Sequence, residues 1–160
     1  MMATKEINKL VRKMKSIYDG DPWYGDSIQK KLQNITPEIA LERPIPDAHC
    51  IAELLAHIIS WRELLNKRLQ GEDAFSVSQQ ESFNWTRFDP DPETMWDSLL
   101  KALDKNQQQI ISQLKQEDDA LLNQKVAQRS YNYRYLIKGI MEHDIYHLGQ
   151  IALLRKHGVK

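Results

Sequence analysis

The strongest constraint on this chain sits near its C-terminal end, where Leu136, Ile140, His143, His147, Ile151 and Leu154 recur every three or four residues. That interval is the period of a helix with one face turned toward a core. The pattern predicts a helix from about Asn132 to His157, closed by the basic, glycine-stopped run Arg155-Lys156-His157-Gly158. Two of its inward positions are histidines. Whatever packs against this helix must therefore satisfy imidazole nitrogens as well as hydrocarbon.

Three more stretches carry the same period. Ile7, Leu10, Val11, Met14, Ile17 and Tyr18 predict a helix over about Thr4 to Asp19, which Gly20-Asp21-Pro22 breaks. Asp47 reads as the N-cap of a second helix reaching about Gln70, with Gly71 as its stop and Ile51, Leu54, Leu55, Ile58, Trp61, Leu65 and Leu69 as its apolar positions. Asp91-Pro92-Glu93 opens a third, running to about Lys115 through Met95, Trp96, Leu99, Leu100, Leu103, Ile110, Ile111 and Leu114.

The connections are less regular. Trp23 to Asn34 repeats the period weakly through Ile28 and Leu32, and Thr36-Pro37-Glu38 has the chemistry to cap one short turn. Arg43-Pro44-Ile45-Pro46 reads as a rigid extended piece. Residues 71–91 show no sustained period, and an acidic break at Glu117-Asp118-Asp119 leads into a poorly defined stretch up to Ser130. No strand pattern competes, and there is no internal repeat. The expectation is an all-α, four-helix bundle forming one domain over 1–160.

The 71–91 connection bears on topology. Its 21 residues could span about 70 Å when extended, against about 36 Å for a 24-residue helix. It is long enough to return along the bundle and leave the second and third long helices parallel.

Composition narrows the function classes. Apolar residues make up 41% and charged residues 28% of the 160, as in ordinary globular proteins, and 22 basic residues balance 22 acidic ones. No electrostatic footprint for nucleic acid or an acidic membrane is present. The basic stretches Arg12-Lys13 with Lys15, and Lys30-Lys31, read as solvated helix faces. A single cysteine, Cys50, excludes an intrachain disulfide and any multi-cysteine zinc site. There is no signal-peptide core and no apolar run of transmembrane length, so a cytoplasmic location is expected.

Residues four apart on a helix share a face, so His143 and His147 project together and can chelate one ion from consecutive turns. The competing reading is a pair of core histidines bonded to polar neighbours. His57 shifts the balance, because it lies among Leu54, Ile58, Trp61 and Leu64 and should also face inward. Three histidines with open positions are the arrangement of a reactive rather than a purely structural metal. His49 lies eight residues before His57, about 12 Å along the axis, and His157 ten residues beyond His147, about 15 Å, so neither joins the same ion. No glutamate stands three residues before a histidine, which excludes a carboxylate-bridged di-iron bundle. The motif His143-Asp144-Ile145-Tyr146-His147 also departs from the zinc-protease pattern, which needs a glutamate after its first histidine.

The neighbours of the triad admit several roles. Asp144 reads as a buttress to the histidines or a surface charge, and Gln150 as a candidate to line the open position. Trp61 and Tyr146 read as core or pocket wall, Glu53 as a solvated helix-edge acid, and Cys50 as packing. No residue is assigned a catalytic role, and no organic cofactor is implied.

IAELLAHIISW around His57 and GIMEHDIYHLGQIALLRK around the helical pair, with PWYGDS and PIPDAHCIAEL earlier, resemble the DinB/YfiT-like family. The resemblance covers nearly the whole chain. It implies an up-down-down-up four-helix bundle and one divalent ion, zinc or nickel, on the histidines matching His57, His143 and His147. It also implies a homodimer and chemistry like that of thiol-dependent transferases and isomerases, which use low-molecular-weight thiols such as bacillithiol, mycothiol or glutathione. Two function classes follow: a metal-dependent transferase or hydrolase acting on a small molecule, and a non-catalytic, metal-stabilised bundle that serves as a binding or stress-response protein.

Overall fold

The structure is a computed structural model and describes residues 4–74 and 91–158. Every regular element among them is helical, apart from a single antiparallel bridge between Lys125 and Asn132. The helices are α1 (Lys5–Asp19), α2 (Ile28–Leu32), α3 (Pro37–Leu41), α4 (Ile51–Leu69), α5 (Pro92–Leu114) and α6 (Tyr133–Gly158). A 3₁₀ turn, Leu121–Asn123, lies between α5 and α6. The fold is all-α, as the periodicity predicted. No helix among the described residues is long and apolar enough to cross a membrane.

Local chemistry explains most of the boundaries. α1 buries the stripe Ile7, Leu10, Val11, Met14, Ile17 and Tyr18, and its first amides, Glu6 and Ile7, donate to the Asp119 carboxylate. Asp119, 112 residues beyond Ile7, thus caps α1, and those amide bonds hold its carboxyl below the usual range. Thr36 and Asp91 cap α3 and α5 as read, each followed by proline at the first turn. Gly71 ends α4 at φ 74°, where only glycine is unstrained.

Four expectations need correction. α4 does not begin at Asp47, which instead takes a left-handed conformation (φ 62°) in a turn closed by the Ala48 amide on the Ile45 carbonyl. Its N-cap is Cys50, and the Glu53 carboxylate reaches back to the Cys50 amide at 3.1 Å. That turn also shortens the extended piece expected at residues 43–46. Only Ile28–Leu32 of the Trp23–Asn34 stretch is helical, and Trp23 is 97% exposed. The stretch before Ser130 is better built than its sequence suggested: Leu121, Leu122 and Val126 are buried, and the bridge to Asn132 leads the chain into α6. Most of the 71–91 connection, residues 75–90, lies outside the described residues.

The core runs between the four long helices and contains one large polar intrusion. Arg62 of α4 is 0% exposed. Its Nε and one terminal nitrogen donate to Asp144 Oδ2 of α6 at 3.1 and 2.9 Å. The other terminal nitrogen donates to Gln107 Oε1 of α5 at 2.7 Å, and the guanidinium lies 5.6 Å from the centre of the Tyr18 ring on α1. One turn later Asn66 of α4 donates to Asn106 Oδ1 of α5 at 2.6 Å. Removing one member of a buried ion pair leaves the other charge unpaired, a loss of about 3–5 kcal/mol. Arg62→Ala is therefore expected to lower unfolding stability in urea by about that amount, whereas Arg62→Met combined with Asp144→Leu should recover much of it. Equal losses in the single and double variants would contradict this account.

Candidate metal centre

α4 and α6 run side by side, with Tyr133 at the start of α6 donating its hydroxyl to the Arg68 carbonyl near the end of α4. The neighbouring stripes on these helices bring three imidazoles together. His143 Nε2 lies 2.9 Å from His57 Nε2 and 3.1 Å from His147 Nε2. One ligand atom from each ring falls within 4.8 Å of the others, and no other such group involving a histidine occurs among the described residues. His57 and His147 are buried, and His143 is partly buried.

Hydrogen bonding among the three facing nitrogens cannot account for both contacts. His147 Nδ1 sits against Gln150 Oε1, an acceptor, so that nitrogen carries the proton and the neutral ring presents a lone pair at Nε2. If His57 donates to His143, the His143–His147 contact sets lone pair against lone pair. If His143 donates, its single proton cannot point along both contacts. A cation between the rings would satisfy all three nitrogens. Donors about 2.0–2.1 Å from one ion in tetrahedral directions are roughly 3.3 Å apart, close to the spacings observed. The donor set and geometry fit a divalent ion.

The supporting residues differ from their sequence reading. Gln150 is exposed and orients His147 instead of lining an open position. Asp144 is not a surface charge: it is 0% exposed and bonded to Arg62, one position past His143 on the face turned toward the core. Glu53 is not solvated either. It is buried, with bonds from Arg43, the Cys50 amide and His49 Nδ1. Burial pushes its carboxyl up, but those bonds outweigh burial and hold it below the usual range. Trp61 forms pocket wall, its ring 5.7 Å from that of His143 and 6.4 Å from that of His57. Tyr146 is exposed rather than core, with its ring edge against His147. Cys50 packs in the core, where burial raises its thiol. His49 and His157 do not belong to the cluster, as their spacing required, although His49 is near enough to His147 to disfavour its protonated form.

Arg62 was missed at the sequence level, although a signal existed. It falls on the stripe Leu55, Ile58, Leu65, where a lone charge demands a partner. Asp144 occupies the matching place on the stripe Ile137, Met141, Leu148, Ile151.

Burial, and then the His147 and His57 rings, push the His143 imidazole down from 6.5 to about 3. The folded protein thus keeps this ring neutral where an unfolded chain would take up a proton. Its contribution to stability is complete above pH 6.5 and is lost as pH falls toward 3. Metal-free protein should lose urea stability across that window, and His143→Gln should flatten the slope; parallel profiles for the two proteins would contradict the assignment. Gln150→Ala, which removes the acceptor at His147 Nδ1, is expected to weaken metal affinity by roughly 10–100-fold, measured by competition with a chelating dye.

The sequence model of the DinB superfamily matches residues 26–151, a span that contains all three histidines. No curated protein and no solved structure matches the chain. With nearly four fifths of its length and the whole of α4, α5 and the histidine pair of α6 inside that match, the chain belongs to the DinB superfamily.

Proposed function

We propose that His57, His143 and His147 hold one divalent metal ion, zinc or nickel, and that the protein is an enzyme acting on a small molecule with a low-molecular-weight thiol as co-substrate. The observation that carries this reading is the convergence of three Nε2 atoms, 2.9 and 3.1 Å apart, whose contacts one shared proton cannot serve. A divalent ion held there would lower the pKa of a coordinated thiol or water, so that it is presented deprotonated near neutral pH. Three protein donors leave a position open for such a partner.

The surrounding residues favour an anionic partner. The imidazoles bring no negative charge to the centre, and the two buried carboxylates flanking the histidines are committed elsewhere, Asp144 to Arg62 and Glu53 to Arg43. Contacts near the helix ends support an up-down-down-up four-helix bundle as the frame. α1 and α6 start together at the Glu6–Arg134 pair, α5 ends against the start of α1 at Asp119, and α4 runs against α6. The reading includes a homodimer, for which Tyr146 and Leu153, exposed on one face of α6, supply apolar contact.

Protein purified without a histidine tag or added metal should carry one divalent ion per chain by mass spectrometry. His57→Ala should lose it, and light scattering should give twice the chain mass. Replacement by cobalt(II) should yield a visible spectrum that shifts when a small thiol is added, and a thiol screen with an electrophilic reporter should show turnover that chelation abolishes. Metal uptake unchanged in His57→Ala would overturn the site. A cobalt spectrum insensitive to every thiol would make the ion structural and the protein a metal-stabilised binding or stress-response protein.

A further inference from the structure

α6 carries a glycine, Gly139, on the turn before His143. Mid-helix glycine is destabilising relative to alanine, so its presence calls for a local reason. Steric crowding is not that reason, because a Cβ built at Gly139 would meet nothing within 4 Å. The space beside it is a pocket of about 190 Å³. Trp61 of α4, Tyr131, and Tyr135 and Ile140 of α6 form its walls together with Gly139, and His143 borders it.

The chemistry of this pocket is one-sided. None of the residues lining it carries a formal charge, and the wall is aromatic and aliphatic. A dry apolar cavity of about 150 Å³ accepts one benzene ring, so the space here suits a single ring or branched alkyl group. The pocket also touches the histidine cluster directly, through His143 and through Trp61, whose ring packs near both His143 and His57. His143 Nδ1 is buried, and no hydrogen-bond acceptor among the described residues reaches it.

We propose that this pocket seats one uncharged, ring-sized apolar group of the small molecule whose reacting atom lies at the three-histidine centre. Gly139 is the residue that keeps the seat open. This inference rests on the metal-dependent reading above and adds to it a substrate class: molecules with a compact apolar group next to the reacting atom, rather than uniformly polar ones.

The test uses phenylmethanethiol and 2-mercaptoethanol, titrated into the cobalt(II)-loaded protein and followed by its visible spectrum. Burial of the phenyl group should make phenylmethanethiol bind on the order of 10- to 100-fold more tightly. Gly139→Leu, which fills the space, should remove most of that preference. Gly139→Ala, the milder change and the better helix former, should give an intermediate preference with a melting temperature at or above that of the parent. Equal affinity for the two thiols, or an aromatic preference that survives Gly139→Leu, overturns the proposal.

A second arm separates the pocket from the metal. Benzyl alcohol is added to metal-free protein while the Gly139 amide and Trp61 indole resonances are recorded. Trp61 indole shifts in the parent that vanish in Gly139→Leu support the pocket even if neither thiol perturbs cobalt, an outcome that would overturn the open metal centre alone. No shift in the parent overturns the pocket.

Discussion

Arg62 is the side chain on which the arrangement of the long helices depends. From α4 its guanidinium bonds to Asp144 on α6 and Gln107 on α5, and it faces the Tyr18 ring on α1. Four helices therefore meet around one fully buried cation. Such a group is tolerated only when its donors are paired, because an isolated charge in a low-dielectric interior is too costly to keep. The planar fork of arginine suits this position, since it directs donors to two different helices at once and leaves a flat face for an aromatic ring. Hydrocarbon of the same volume would fill the space, but it would accept several offsets between the helices. Sliding α6 by one turn, about 5.4 Å, would leave both Arg62 and Asp144 buried and unpaired.

That register is what assembles the histidines. Asp144 follows His143, so the bond that fixes one also fixes the rotation of α6 at the other. His57 stands five residues before Arg62 on α4, and the antiparallel run of the two helices brings it level with the 143–147 turn. Packing alone orders a surface of interchangeable Ile and Leu contacts rather loosely. The ion pair selects one register among them, and in that register three nitrogens point at one another. The Glu53 cluster acts in a similar way at the opening of α4. Held by Arg43, His49 and the Cys50 amide, it fixes where that helix begins, one turn and a half before His57.

Much of this was legible in the sequence, and the reasons are particular. The apolar stripes of α1, α4, α5 and α6 are long enough to define helices by period alone, and the caps at Thr36 and Asp91 are unambiguous because proline follows each. The three histidines were legible because each breaks an apolar stripe. Arg62 and Asp144 break stripes in the same way, but opposite charges on distant helices become a pair only once the register is known. Asp47 misled because an aspartate before an apolar run resembles a cap, whereas the chain spends it on a left-handed turn and lets Glu53 reach back instead. The structure before Ser130 was hidden because Leu121, Leu122 and Val126 are too few and too close to show a period.

The three imidazoles are not held alike, and the difference gives the centre a direction. His147 is anchored through Nδ1 by Gln150, a residue of the next turn of its own helix, so its lone pair is aimed whether or not anything binds. His143 has no such bond; its Nδ1 is buried without an acceptor, and the Trp61 ring packs near it. Its fixed contacts are at the other nitrogen, where Nε2 faces His57 at 2.9 Å and His147 at 3.1 Å. The space beside its ring is the apolar pocket opened by Gly139. His143 thus stands between the centre and the pocket and borders both.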